Sequence, residues 1–150
     1  MESLIHEDRI QVNFMAENQF AAIEMAAKPL QEQGYVYEGF LEAVLEREKN
    51  YPTGLPTRVG VALPHTEAEY VINEGISILT LEKPVLFSGM GNPKETVLVE
   101  ILFLLAIKNP EKQLGVLQTI ITIIQNEMVL KKIKGAKDPK TIYNLINQFI

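Results

Sequence analysis

A long apolar segment, Val97–Ile107, interrupted only by Glu100, restricts the possible fold more than any other feature of this chain. It is too short to cross a bilayer, which needs about 20 consecutive apolar residues, so we expect it to be buried inside the protein. A central strand and a buried helix both fit such a run. The β-branched residues Val97, Val99 and Ile101 favour a strand, because branched side chains pack well on a pleated surface.

Segments with helical and strand patterns alternate along the rest of the chain. The first helix is predicted from its cap at Asn18 to Gln33, with Gly34 ending it. Further helices are predicted at about 37–49, 110–125, 126–134 and 139–149, and further strands at about 59–63, 75–81 and 83–87. The apolar stripe expected on helix 110–125 consists of Leu114, Leu117, Ile120, Ile121 and Ile124. This alternation is typical of a layered α/β domain.

The composition argues against several classes of function. The 150 residues have a net charge of −5, whereas nucleic-acid binding needs a basic face. The chain has no cysteine, which excludes disulfides, thiolate catalysis and cysteine metal sites. Residues 1–8 contain neither a basic stretch nor an apolar core, so they do not predict a signal peptide. We therefore expect one domain, residues 1–150, in the cytoplasm.

The residue most suggestive of chemistry is His65, in the segment Gly60–Thr66. It follows an apolar run and Pro64, which cannot donate to a sheet and tends to end a strand. We therefore expect the imidazole at a strand end, where a rigid scaffold often presents functional groups. It is the candidate nucleophile or proton carrier of that region near neutral pH. On the tripeptide Leu-Pro-His alone, the more common explanation is a histidine that only hydrogen-bonds a loop.

Two side chains before the histidine could support an anion. Arg47 lies near the end of the predicted second helix, where a cation also interacts favourably with the helix dipole. The proline- and glycine-rich loop that follows could bring Arg47 and Thr53 toward His65. A guanidinium fork and a hydroxyl are groups that a phosphoryl oxyanion prefers. After the histidine, Glu67 and Glu69 fit a solvated face better than an active-site role.

The longest recognisable pattern spans Arg47–Pro56 and Gly60–Thr66, with the sequences REKNYPTGLP and GVALPHT. It resembles the enzyme IIA domains of the phosphoenolpyruvate-dependent sugar phosphotransferase system. Within that system it is similar to the fructose/mannitol-type superfamily, whose signature combines an Arg-Glu pair, a glycine-rich loop and a Pro-His phosphorylation site. Two details look like the galactitol branch: YPTGL before the active strand, and Gln113 where fructose and mannitol proteins usually have a histidine. A helper role for a second histidine is therefore not carried over.

The resemblance implies a layered α/β sandwich with a mixed β-sheet flanked by helices, and a phosphocarrier function. His65 would accept a phosphoryl group on Nε2 from HPr and pass it to a cysteine of a IIB component, with a membrane IIC component involved indirectly. Arg47 would supply countercharge and Thr53 a hydrogen bond, while Gly54 and Gln113 would help to bind the group. The resemblance implies no metal and no cofactor, and the expected sugar is galactitol or a related polyol.

Two other functions stay open at this stage. A regulatory IIA-like protein would use the same histidine to signal to a partner, whereas a non-catalytic α/β binding module would leave His65 inert. If the chain is a carrier, its two partners must reach one histidine in turn, so their footprints should overlap. We expect Leu55 and Val71 to form an exposed apolar centre of that footprint, with Glu67 and Glu69 as an acidic rim.

Overall fold

A mixed β-sheet of four strands forms the middle layer of the protein, of which the computed structural model describes residues 4–149. The strands are β1 (Ile10–Phe14), β2 (Gly60–Ala62), β3 (Gly75–Ser88) and β4 (Thr96–Ala106). Their order across the sheet is β1-β3-β4-β2. The central strands β3 and β4 pair antiparallel, whereas β1 is parallel to β3 and β2 is parallel to β4.

Within the same described residues, five α-helices cover the two faces of the sheet. They are α1 (Gln19–Glu32), α2 (Phe40–Asn50), α3 (Pro110–Ile124), α4 (Glu127–Gly135) and α5 (Pro139–Asn147). All except α2 begin after a short polar residue whose side chain accepts a hydrogen bond from an amide of the first turn. These caps are Asn18, Asn109, Asn126 and Asp138.

The apolar segment that dominates the sequence is strand β4, as its β-branched residues predict. Successive side chains of a strand point to opposite faces, and both faces of β4 are buried from Ile101 onward, whereas Leu98 is exposed. Ile101, Phe103 and Leu105 pack with residues of α3, α4 and α5. Leu102 and Leu104 pack with residues of α1 and α2 on the other face. The predicted layered α/β sandwich with a mixed sheet flanked by helices is confirmed.

Two predictions about local structure are wrong, and one strand is missed. A single strand, β3, replaces the two predicted at 75–81 and 83–87; exposed Glu82–Pro84 lie in a register irregularity between Thr80 and Val85. The missed strand is β1, whose residues alternate apolar and polar as a strand does, but over only five positions. On α3 the stripe is displaced, since Leu114 and Ile121 are exposed. The residues of α3 that are buried are Val116, Ile120, Ile123 and Ile124.

Candidate functional site

His65 lies just beyond the short edge strand β2, where the backbone still pairs with β4. The Leu105 amide donates to the Pro64 carbonyl oxygen at 3.1 Å, and His65 lies opposite Leu105 in a parallel bridge. Earlier in β2 the two strands approach so closely that a Cβ at Gly60 would lie 1.9 Å from the Leu98 carbonyl oxygen. Glycine is therefore required at position 60. The histidine follows a strand end that is hydrogen-bonded to β4, as expected.

The imidazole of His65 is oriented by a main-chain carbonyl. Its Nδ1 lies 2.7 Å from the carbonyl oxygen of Leu63. Because a carbonyl oxygen can only accept, Nδ1 carries the proton and Nε2 keeps its lone pair. Burial lowers the pKa of His65; the Leu63 bond opposes this, and the nearby Arg47 charge lowers the pKa further. The net effect favours the neutral imidazole near pH 7.

The outer side of His65 consists of the partly exposed ion pair Arg47–Glu67 and the buried Thr66 hydroxyl that bonds to Glu67. Arg47 Nη1 lies 3.3 Å from Glu67 Oε1, and the Glu67 side chain is 60% exposed. The Thr66 hydroxyl donates to the other Glu67 oxygen at 2.7 Å and is the largest influence lowering the pKa of Glu67, which Arg47 also lowers. Arg47 Nε is buried and has no hydrogen-bond partner among residues 4–149.

A cavity of about 470 Å³ opens on the outer side. It is lined by Arg47, Thr66, Glu67, Ala68, Glu69, Lys108, Pro110 and Gln113. The structure thus brings Arg47 from α2 and Gln113 from the first turn of α3 to one cavity next to His65, although they are far apart in sequence. Arg47, Lys108 and Gln113 can donate to an anion with several oxygen atoms, whereas the carboxylates of Glu67 and Glu69 in the same wall oppose its charge.

The inner side of His65, formed by Glu48, Thr53 and Leu63, is buried. The Thr53 amide donates to Glu48 Oε2 at 2.8 Å, and the Thr53 hydroxyl donates to Glu48 Oε1 at 2.9 Å. The same hydroxyl accepts from the Leu63 amide at 3.0 Å. A hydroxyl has one proton, and Thr53 uses it for the hydrogen bond to Glu48. A direct bond from Thr53 to a phosphoryl oxygen stays a prediction.

Gly54, the other loop residue predicted to bind, is also buried. Its amide donates to the Ser88 carbonyl oxygen at 3.1 Å, and its carbonyl accepts from the Met90 amide at 2.8 Å. A Cβ at this position would lie 2.6 Å from the Ser88 oxygen. Glycine at 54 therefore allows the loop to approach β3 closely, and binding by its amide stays a prediction.

Glu48 belongs to the Arg-Glu pair of the signature, but the sequence does not predict a role for it. It is 4% exposed, and burial raises its pKa, opposed by the two bonds from Thr53 and by the Arg47 charge. A signal was present in the sequence, because position 48 continues the buried stripe Phe40–Val44 of α2 at a spacing of four residues. A carboxylate on the buried face of a helix indicates a specific partner, since charges are rarely buried unpaired.

The expected docking centre is only partly right. Val71 is 2% exposed and packs in the core beside α1 and α2, so it cannot contact a partner. Leu55 is half-buried against the opposite core cluster. Glu67 and Glu69 are both exposed at the cavity, as a rim would require.

Two features are absent from residues 4–149. Within that part of the chain, no helix combines the length and apolarity needed to cross a membrane. The same residues contain no group of three or more His, Asp or Glu side chains arranged to hold a metal ion.

Comparison with known proteins places the chain in a family. Residues 3–149 match the family described as "Phosphoenolpyruvate-dependent sugar phosphotransferase system, EIIA 2". The chain is 27% identical over 148 residues to the mannitol-specific phosphotransferase enzyme IIA component of Bacillus subtilis, with 97% of both chains covered. It is 33% identical over 97 residues to the transcriptional regulator ManR of the same organism, which covers 65% of this chain but only 14% of ManR.

The fold is also similar to a solved structure. The complex of enzyme IIA and phosphorylated enzyme IIB for mannitol from Escherichia coli contains a chain with a TM-score of 0.78 and 21% identity, covering 96% of this chain and 97% of that one. At this identity the likeness shows the fold alone. The family match, in contrast, extends over nearly all of the sequence, so this chain belongs to the EIIA 2 family and is a phosphotransferase component of the phosphoenolpyruvate-dependent sugar phosphotransferase system.

Proposed function

We propose that His65 is the phosphoryl carrier of this protein, accepting the group from phospho-HPr and passing it to a cysteine of a IIB component. The observation that supports this most directly is the bond from His65 Nδ1 to the Leu63 carbonyl, which leaves Nε2 unprotonated on a half-buried ring. A neutral imidazole with one free nitrogen is a good nucleophile and, once phosphorylated, a good leaving group.

In the proposed step, the Nε2 lone pair attacks phosphorus while the bond between phosphorus and HPr breaks. The proton stays on Nδ1, held by the Leu63 carbonyl, so the ring carries a positive charge that makes the second transfer easier. Transfer to IIB reverses the roles: a cysteine thiolate attacks, the bond from Nε2 to phosphorus breaks, and His65 regains its lone pair. Phosphoryl transfer has a loose transition state, so the surrounding groups act by position and countercharge.

Arg47 is the proposed source of that countercharge. Its guanidinium lies on the outer side of His65. Its buried Nε has no hydrogen-bond partner among residues 4–149, so it provides a donor for an incoming oxygen. Glu67 now occupies Nη1 at 3.3 Å, so a phosphoryl group would compete with this carboxylate. Gln113, from the opposite wall of the cavity, is the proposed additional hydrogen-bond donor.

The partners and the sugar are proposed on different grounds. The similar Escherichia coli chain was solved in complex with phosphorylated IIB, which supports a IIB partner here. HPr as donor and a membrane IIC component follow from the family. For the sugar, the similar Bacillus subtilis component is mannitol-specific by name, which supports a polyol, whereas the galactitol specificity suggested by YPTGL and Gln113 gains no support from the relatives.

A second candidate is regulation, in which phosphorylated His65 controls a partner without feeding a sugar. The similarity of this chain to a segment of the transcriptional regulator ManR supports this regulatory function as the second candidate. The two functions differ in one step, because only the transport carrier delivers its phosphoryl group to a IIB cysteine.

The test uses labelled phosphoenolpyruvate, enzyme I and HPr. We expect one acid-labile, base-stable phosphate on the wild-type chain and none on His65→Ala. His6→Ala is the matched control, because the His6 imidazole is exposed and, among residues 4–149, bonds only to the nearby Asp8; it should label normally. Labelling that persists in His65→Ala would reject His65 as the carrier. Chase with IIB then separates transport, which loses the label to IIB, from regulation, which retains it.

A further inference from the structure

The edge of β2 that does not pair with β4 is covered by the loop that follows α2. Leu55 and Val61 exchange two main-chain hydrogen bonds, with the Leu55 amide to Val61 oxygen at 2.7 Å and the reverse bond at 3.2 Å. In an antiparallel pair, the next such pairing would join residues 53 and 63. The Thr53 amide instead points to Glu48, so the Leu63 amide has no main-chain partner from the loop.

The Thr53 hydroxyl takes the place of that missing partner. It accepts from the Leu63 amide at 3.0 Å and donates to Glu48 at 2.9 Å, and both Thr53 and Glu48 are 4% exposed. The Leu63 amide can only donate, so the Thr53 hydroxyl oxygen accepts from it, and the hydroxyl proton points to Glu48, which accepts it. Glu48 therefore gives the hydroxyl proton a partner and keeps the oxygen lone pair directed at the Leu63 amide.

The same residue, Leu63, holds the histidine by its carbonyl at 2.7 Å. On its far side the backbone is attached to β4 through the bond from the Leu105 amide to the Pro64 oxygen. Leu63 is thus fastened on one side by Thr53 and on the other by β4. Losing the Thr53 side would let the Leu63 carbonyl rotate away from Nδ1.

We propose that Glu48 and Thr53 are positioning residues that, through Leu63, keep the proton of His65 on Nδ1 and the lone pair on Nε2. This inference rests on the proposed function for its significance, because the tautomer matters only if Nε2 is the nucleophile. The tautomer itself can be measured on the unphosphorylated protein without any partner. Failure of the proposed function and failure of this inference therefore give different results.

The experiment records the ring-nitrogen NMR signals of His65 in the full chain near pH 7.5. We expect wild type to show a protonated Nδ1 and an unprotonated Nε2. Thr53→Val removes the hydroxyl at nearly constant volume, and we expect the other tautomer to become populated. Labelling by phospho-HPr should then slow about three- to tenfold, the range that one neutral hydrogen bond supports. Thr53→Ser restores the hydroxyl and should restore both the tautomer and the rate.

Thr57→Val is the matched control, since Thr57 lies in the same loop but its hydroxyl donates to Val59 and contacts neither Leu63 nor Glu48. We expect it to retain the wild-type tautomer. If Thr53→Val does not fold, Glu48→Gln tests the same link, because an amide cannot accept both Thr53 donors. A wild-type ring protonated on Nε2, or folded Thr53→Val or Glu48→Gln with the wild-type tautomer and rate, would overturn the proposal.

Discussion

The two sides of His65 each contain a carboxylate, and the two carboxylates lie in opposite environments. Glu48, on the inner side, is 4% exposed and accepts two bonds from Thr53. Glu67, on the outer side, is 60% exposed at its side chain and shares Arg47 with solvent. Burial raises the pKa of Glu48, whereas the Thr66 hydroxyl and Arg47 lower the pKa of Glu67.

This difference separates two tasks that a phosphoryl carrier must combine. The attacking nitrogen needs a fixed direction, and buried hydrogen bonds are strong and costly to break, so the inner side suits that task. The incoming group brings negative charge that must be accommodated and then released. A solvent-exposed ion pair exchanges partners at little cost, since such pairs contribute about 0–1 kcal/mol, so the outer side suits that task.

The largest effect on stability is expected from Glu48→Gln. The amide replaces one acceptor by a donor and leaves a buried Thr53 donor unsatisfied, which should lower the free energy of unfolding by about 1–3 kcal/mol. Glu67→Gln, on the outer side, should lower it by no more than about 1 kcal/mol. Urea unfolding of both variants compares the two. Equal losses would contradict the distinction between a buried and an exposed carboxylate.

The next effect is on rate and concerns Arg47. Arg47→Lys keeps the charge but loses the planar fork and Nε, so the variant should fold normally. If a bond to a charged oxygen worth roughly 1.5–3 kcal/mol is made in the transition state, transfer should slow by about 10- to 100-fold. The measurement is the rate of labelling by phospho-HPr and of transfer to IIB.

Arg58→Lys is a suitable control for Arg47, because Arg58 is exposed and does not line the cavity. It should transfer at the wild-type rate. If Arg47→Lys also transfers at the wild-type rate, Arg47 serves the end of helix α2 and not the phosphoryl group.

The sequence predicts those parts of the protein that depend on local signals. The cap Asn18 predicts the start of α1, because capping involves residues only two or three positions apart. Strand β1 has only a five-residue alternation of apolar and polar side chains, and its place is decided by pairing with distant β3. Non-local pairing of this kind overrides local propensity.

The same contrast applies to the site. His65 and Arg47 belong to a recognisable string, and the structure places Arg47 in the cavity wall, where its charge acts on His65. Glu48 escapes notice because its neighbours, Arg47 and Lys49, read as the polar end of an amphipathic helix. Its partner Thr53 lies in the loop after α2, and the sequence does not specify the conformation of that loop. The sequence also fails to predict the burial of Val71, because that burial depends on packing against α1 and α2, which are distant in sequence.

The pH dependence of stability should differ in sign between the two carboxylates. The pKa of Glu48 is raised above 4.5, so the folded state binds a proton more readily and stability falls as pH rises from 4.5 to the raised value. The pKa of Glu67 is lowered below 4.5, so its contribution is present above pH 4.5 and is lost as pH falls below it.

Unfolding measured across this pH range in wild type, Glu48→Gln and Glu67→Gln gives the two slopes by difference. His65, whose pKa is lowered from 6.5, titrates in all three proteins; its contribution changes in Glu67→Gln, because the Glu67 charge raises the His65 pKa. Glu48→Gln should remove the decline above pH 4.5, and Glu67→Gln should weaken the rise below it. If stability depends on pH in the same way in wild type and Glu48→Gln above pH 4.5, then the pKa of Glu48 is not raised by burial in the folded protein.

The smallest effect is expected from the acidic rim. Glu69 lines the cavity, is exposed and has no salt bridge among residues 4–149, so its charge is available to attract a basic surface of HPr. Glu69→Gln should lower the HPr association rate at low salt by about two- to fivefold, with less change at high salt. Glu67 is already neutralised in part by Arg47, so Glu67→Gln should change the association rate less.

Stopped-flow mixing with HPr at two salt concentrations measures both variants, and amide shifts on adding HPr and then IIB locate the footprints. Both partners must reach His65, so their shifts should overlap around the cavity, including Gln113 and the exposed Leu114 beside it on α3. Two separate footprints, with HPr far from His65, would contradict a shared surface. If Glu67→Gln slows association as much as Glu69→Gln does, then the ion pair with Arg47 does not persist in solution, and the outer side is a freely exposed acidic face.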